Sequence, residues 1–359
     1  MNGESILAVD SLAVPVPQRL NLLVLLAVWL WERILAYSYQ HAMDVSTLVV
    51  TRPPGDIRPA YSGQQVYKKS HRLSIKLTKI VLPLHLITMA LWTLNYITGD
   101  HGKASYLFDT LLYIGHRLPL LQSIIIVVII LRTSDVVAYC TKRLLLIESN
   151  PSPLRTTYIL LSDTLTSFAK PLIDFTLYAS YITIGDLQFR HVDLLVAQLP
   201  VFVRIFQCLR EYSLGGNKMA LLNTLKYASS LPILFCMWLM RVHPEHRDSH
   251  SGYHRLFMLV NSCYTFFWDV RIDWSMDSFT RIRATRQLTF SEAVYRISVI
   301  FDFVVRFWWV WIYLGSQMGY HFDSSMVFDG EIQYLEIIRR AIWVVFRLES
   351  DHITRSLAK

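Results

Sequence analysis

Leu107-Phe-Asp-Thr-Leu-Leu-Tyr-Ile-Gly115-His-Arg117-Leu-Pro-Leu-Leu-Gln-Ser-Ile-Ile-Ile-Val-Val-Ile-Ile-Leu131 is apolar almost throughout, with one Asp and one Arg. A helix needs about 20 mostly apolar residues to cross ~30 Å of hydrocarbon, because lipid offers no partner to an open backbone. This stretch suffices for one crossing, and Gly115-His116-Arg117 near its middle also allows two. Outward from it, runs at 20–37, 75–97, 158–184, 192–209, 219–240, 254–270 and 293–314 repeat the pattern. A last run, 334–348, is shorter and carries charges. The expected fold is all-α: a polytopic transmembrane bundle of about 8–10 spanning helices with no large soluble domain.

Composition agrees. The 359 residues are 53% hydrophobic and 17% charged, with a mean hydropathy of +0.34. Soluble domains carry about a quarter charged residues, so solvated surface is scarce here. The net charge of +8 lies largely in segments between apolar blocks, which argues against nucleic-acid binding. Cytoplasmic loops collect Lys and Arg, so 132–155, 210–218, 271–290 and the C-terminus are expected in the cytosol. The loops 185–191, 241–253 and 316–332 then face the lumen or the exterior. Basic residues in 38–75 suggest a cytosolic loop there too, but the side of the N-terminus depends on how often 107–131 crosses. Residues 1–19 carry Glu4 and Asp10 without a basic n-region, so no cleaved signal is expected. The expected organisation is a short tail (1–19), N-terminal membrane helices with a polar loop at 38–75 (20–149), and a C-terminal unit (150–355).

An ionisable residue inside a membrane helix is costly unless it is paired or faces a polar cavity. Asp163, Lys170 and Asp174 are spaced seven and four apart, and on one helix they fall within about 20° of each other. Lys226 sits about two turns into the run at 219–240. Asp269 and Asp273 are four apart, as are Asp302 and Arg306, with Trp308, Trp309 and Trp311 next in sequence. Arg340, Trp343 and Arg347 share a face of the last helix, where Arg339 also lies and Glu336 can pair with Arg340. Two readings stay open: ion pairs that fix helix packing, or a polar cavity with surplus positive charge. The second suits a tetrahedral oxyanion, since an arginine fork matches its oxygens two at a time and lysine adds a compact charge. Residue chemistry does not separate phosphate from sulfate.

Six ordered motifs at these residues resemble the EXS family, which includes eukaryotic phosphate exporters and retrovirus receptors. They are Leu161-Ser-Asp163-Thr-Leu-Thr166-Ser167 with Asp174, Phe206-Gln-Cys-Leu-Arg210-Glu-Tyr212, and Leu225-Lys226-Tyr227. Ser262-Cys-Tyr264-Thr-Phe-Phe-Trp268-Asp269-Val-Arg-Ile-Asp273-Trp274 is the most distinctive. Phe301-Asp302-Phe-Val-Val-Arg306-Phe-Trp-Trp309 and Ile338-Arg339-Arg340-Ala-Ile-Trp343-Val-Val-Phe-Arg347 complete the set. The resemblance implies that 150–355 is a six-helix transport unit carrying inorganic phosphate. It places the anion among Asp163, Lys226, Tyr227, Asp269, Arg306, Arg339 and Arg340, with Thr166, Asp174, Asp273, Asp302, Trp309 and Trp343 as supporting or gate residues. Where the family has Gly-Lys-Tyr and Asp-Trp-Gly, this chain has Leu225-Lys226-Tyr227 and Asp273-Trp274-Ser275, changes of backbone freedom more than of charge.

The exporters carry a cytosolic SPX domain, which residues 1–19 cannot contain, so that regulation is not expected. Similarity to the short, SPX-less members implies a Golgi membrane, with the ER membrane second. It also implies a role in Golgi glycoprotein processing and retention of lumenal ER proteins. The expected function is return of phosphate from lumenal glycosylation to the cytosol. The alternative is a non-transporting adaptor that recycles glycosyltransferases through a sorting or coat partner. Expected partners are thus phosphate and the bilayer, with a homodimer left open. No cofactor is expected, and no nucleophile–base pair, phosphate-cradling glycine loop or H-E-x-x-H points to an enzyme. His243-Pro-Glu-His246-Arg-Asp-Ser-His250-Ser-Gly-Tyr-His254 has ligand-like spacing, but Pro244 and Gly252 favour a solvated loop over a metal site. Cys140, Cys208, Cys236 and Cys263 read as packing residues.

Overall fold

The computed structural model describes residues 16–40, 45–49, 52–57, 59–98, 106–146, 155–185, 191–277, 289–318 and 328–357. Most of the tail 1–19, the arginines at 281, 283 and 286, and residues 319–327 of the 316–332 loop lie outside them. The described residues form helices joined by turns, with no strand among them. In order these are α1 (Val16–Gln40), α2 (Gly63–Thr98), α3 (Tyr106–Gly115), α4 (Leu118–Thr133), α5 (Asp135–Leu146), α6 (Arg155–Thr166) and α7 (Ala169–Ile184). Then follow α8 (Val192–Gly215), α9 (Lys218–Ala228), α10 (Leu231–Val242), α11 (Arg247–Trp268), α12 (Glu292–Arg306), α13 (Trp308–Gln317) and α14 (Phe328–Leu357). The chain is an all-α, multi-pass membrane protein.

Among the described residues, five stretches are long and apolar enough to cross a membrane: α1, Gly63–Asn95 of α2, Thr110–Thr133, α8 and Lys218–Val242. The bent pair α12–α13 makes six. The expected 8–10 also counted the runs at 158–184, 254–270 and 334–348. The first of these is broken, and all three carry several ionisable residues. Residues 107–131 resolve into α3 and α4 around a turn at His116-Arg117, and the segment 132–155 contains a further helix, α5.

Three expected continuous helices are interrupted. Residues 158–184 break at Ser167-Phe168, 219–240 at Ser229-Ser230, and 293–314 at Phe307, where the axis bends by 53°. Proline explains two of these interruptions and the 107–131 turn: Pro119 and Pro232 open α4 and α10, and Pro171 lies in the first turn of α7. A helix's first turn has no use for the N–H that proline lacks, whereas in mid-helix the ring clashes with the preceding turn. The run at 254–270 is entered earlier, at Arg247, and leaves α11 through a π turn, Asp269–Asp273.

Helix α1 is the hub, packed on α2, α4, α7 and α14. Several of its polar side chains bond to neighbouring helices: Gln18 donates to Thr88 at 3.1 Å, and Asn21 bonds Gln122 at 3.1 Å and Ser123 at 2.7 Å. The largest apolar core gathers Trp274, Trp343, Tyr295 and Phe346 from the π turn, α14 and α12. This core fixes α14 against the polar cluster described next.

Candidate functional site

The helix breaks converge. Asp163, Thr166 and Ser167 lie at the end of α6, Lys226 and Tyr227 at the end of α9, and Arg306 at the end of α12. Asp269 and Asp273 bracket the π turn, and α14 passes the cluster with Glu336, Arg339, Arg340, Trp343 and Arg347. A broken helix exposes backbone groups that lipid cannot satisfy, so such breaks belong where helices surround a polar site.

Three groups of ions are paired within the protein. Arg339 grips Glu336 with both arms of its guanidinium, at 2.8 and 2.6 Å, and donates to Asp302 at 2.8 Å. Arg306 bonds Asp269, reaches Asp302 at 3.3 Å and donates to Thr265 at 2.6 Å. In the second network Arg204 lies 2.6 Å from Asp163, which also accepts from the Tyr227 hydroxyl at 2.6 Å. In a third, Asp273 accepts from Trp343 Nε1 at 3.2 Å and from Arg347 at 2.9 Å.

Two buried cations stand apart. Lys226, 4% exposed, makes no hydrogen bond through its ammonium to any described residue. Its Nζ lies 3.8 Å from Asp269 and 3.7 Å from Asp273, over the rings of Tyr227 and Trp268. Arg340, 9% exposed, forms no ion pair among the described residues, although the carboxylates of Asp163 and Glu336 are close enough to feel its charge. It donates to Ser167 Oγ at 2.8 Å and, weakly, to Thr166 Oγ1 at 3.4 Å, and it stacks on Trp343. A charge taken out of water into such a place is costly unless something polar completes it.

The structure therefore brings together all of the sequence-predicted site residues but one. Asp174 belongs elsewhere: it bonds Arg19 at 3.1 Å, Lys170 at 2.6 Å and Gln333 at 3.0 Å. The single stripe expected of Asp163, Lys170 and Asp174 fails because Ser167-Phe168 interrupts the helix on which it was drawn. Glu336 pairs with Arg339, three residues on, rather than with Arg340. The expected positive surplus is local, not global. Lys226, Arg204, Arg306, Arg339, Arg340 and Arg347 face Asp163, Asp269, Asp273, Asp302, Glu336 and Asp351 in equal number. Trp309 is held by Ser262 at 3.3 Å, one turn before Thr265 on α11.

Arg204 and Arg19 are the residues that sequence reading missed. Arg204 interrupts the apolar Val201-Phe-Val-Arg-Ile-Phe206 run, so the cost argument that picked out Arg306 applies equally to it. Arg19 was assigned to the tail, although it lies inside α1. The histidine segment is also corrected. Pro244–His246 is a 3-10 turn and α11 starts at Arg247, so His250 and His254 are helical. No group of described residues there or elsewhere could hold a metal ion. Glu245, exposed beside it, has its carboxyl held below the usual range by its own backbone amide and by His243.

The comparisons with known proteins meet this geometry. The EXS family matches residues 14–353, which includes the N-terminal helices as well as the cluster. The chain is 44% identical to Protein ERD1 of Saccharomyces cerevisiae, over all of this chain and 98% of that one. It is 29% identical to Protein ERD1 of Kluyveromyces lactis, over 94% of each. It is also 28% identical to human solute carrier family 53 member 1, over 45% of this chain and 25% of that protein. The chain belongs to the EXS family.

Proposed function

We propose that the chain is a Golgi-membrane transporter returning inorganic phosphate, a by-product of lumenal glycosylation, to the cytosol. Its C-terminus faces the cytosol, and its activity supports glycoprotein processing and the retention of lumenal ER proteins. The observation that carries this reading is the pair of under-partnered cations, Lys226 and Arg340, buried where helix breaks meet. Phosphate offers what each lacks. Its oxygens accept from three ammonium N–H groups and from the free edge of a guanidinium fork. The carboxylates nearby keep the empty site close to neutral, so bound phosphate is not trapped. Tyr227, Trp309 and Trp343 form the aromatic walls in this reading, with Thr166 and Ser167 as further donors. Kinship with a solute carrier supports transport rather than catalysis.

The test is phosphate flux in proteoliposomes. Wild type is expected to exceed empty vesicles, while Lys226→Ala and Arg340→Ala fall by at least tenfold. Equal flux in wild type, variants and empty vesicles overturns the reading. The full internal pairing of Arg306 and Arg339 favours a second one, a non-transporting adaptor for glycosyltransferase recycling in which buried charges only fix packing. That reading expects Arg306→Lys to preserve function and a coat or sorting protein to co-purify.

A further inference from the structure

Helix α2 has 36 residues, about 54 Å at 1.5 Å per residue, far more than the ~30 Å of hydrocarbon requires. It contains no Asp or Glu, and all five of its Lys and Arg residues lie between Lys68 and Lys79. Four of them, Lys68, Arg72, Lys76 and Lys79, are exposed and have no carboxylate partner among the described residues. At 100° per residue these four fall within about 80° of one another. The opposite face, with Ser70, Ser74, Leu77 and Val81, is buried, and Leu77 and Val81 pack among residues of α1 and α4.

Further along, the exposed stripe changes character without changing direction. Leu82, Leu86, Leu94 and Ile97 are exposed on the same side as the cations. From Lys79 to the end of α2 is about 28 Å, close to the hydrocarbon thickness. The lipid-facing side of α2 is thus apolar over one bilayer core and cationic over the ~16 Å that precedes it.

We propose that Lys68, Arg72, Lys76 and Lys79 form a docking stripe for the headgroups of anionic phospholipids. Charge complementarity selects this occupant: four exposed cations, with no carboxylate partner among the described residues, begin where the apolar stripe ends, at the depth of lipid phosphates. Clusters of four or more Lys and Arg next to a membrane helix attract acidic lipid in this way. The stripe is separate from the Lys226–Arg340 cluster, and the proposal does not depend on phosphate transport.

The test uses the full chain purified in neutral detergent and a fluorescent short-chain phosphatidylinositol phosphate. Wild type is expected to bind it, with affinity falling as salt rises, and to ignore the phosphatidylcholine analogue. The fourfold Lys68→Gln, Arg72→Gln, Lys76→Gln, Lys79→Gln variant is expected to lose at least tenfold in affinity. Neutralising exposed Lys218 and Arg247, at the starts of α9 and α11, should leave binding unchanged. If the fourfold variant fails to elute as a single species, the outer pair Lys68→Gln and Arg72→Gln carries the test, with a loss of at least threefold expected. Undiminished binding by the variants overturns the proposal. So does complete displacement by millimolar inorganic phosphate, which would mark a site for the free ion rather than for lipid.

Discussion

The two halves of this bundle satisfy their buried polar groups in different ways. Between α1, α2 and α4 the partners are mostly neutral: Gln18 with Thr88, Asn21 with Gln122 and Ser123, and Trp29 with Thr78 at 2.9 Å. The buried carboxylate of α1, Glu32, sits more than two turns before its end, 3.2 Å from His71. Between α6, α9, α11, α12 and α14 the partners are ions. Neutral amides and hydroxyls hold membrane helices together at modest gain, whereas each buried ion must first recover its desolvation cost. Apart from Glu32 with His71 and Arg19 with Asp174, the N-terminal half fixes its helix packing with neutral groups. The ions of the other half therefore call for a reason beyond packing, and the incomplete pairing of Lys226 and Arg340 supplies one.

The comparison can be broken at several points. The largest effect is expected from Arg339→Ala, which leaves Glu336 and Asp302 buried and short of a partner. Loss of one member of a buried pair costs about 3–5 kcal/mol, readable as a large drop in the unfolding midpoint in detergent. Lys226→Met should behave oppositely. Asp269 and Asp273 keep Arg306, Arg347 and Trp343, so the midpoint is expected to hold while phosphate flux falls at least tenfold. A midpoint loss as large as that of Arg339→Ala would return Lys226 to a packing role.

In the neutral half, Asn21→Ala removes contacts of a kind that average about 0.6 kcal/mol in membranes. A small fall in stability with unchanged flux is expected. The smallest effect belongs to Arg155→Ala. Its bond to Glu211 is half exposed, and surface pairs contribute about 0–1 kcal/mol, so neither midpoint nor flux should move measurably.

Sequence reading reached the membrane fold and most of the cluster, for one physical reason: charge is scarce in an apolar chain and conspicuous where it occurs. Asp269, Asp302, Arg306 and Arg339 were legible because each is costly in a membrane span. The breaks were harder. Composition runs smoothly through Ser167-Phe168 and Ser229-Ser230, although Pro171 and Pro232 marked the helix starts that follow. Nothing comparable marks Phe307. Without the breaks, Asp163 and Asp174 seemed to share a stripe, and Asp174 was assigned to the site rather than to its clasp with Arg19 and Gln333. Pairings across helices, such as Arg204 with Asp163, depend on tertiary contacts that spacing along one helix does not encode.

The central claim is that Lys226 and Arg340 hold phosphate. Equilibrium binding of radiolabelled phosphate to the purified chain tests it most directly, comparing wild type with the Lys226→Met, Arg340→Gln double variant. Saturable binding by wild type, displaced by unlabelled phosphate and weakened at least tenfold in a double variant that keeps its unfolding midpoint, is the predicted result. Equal binding by the two proteins, or no saturable binding by wild type, would contradict it.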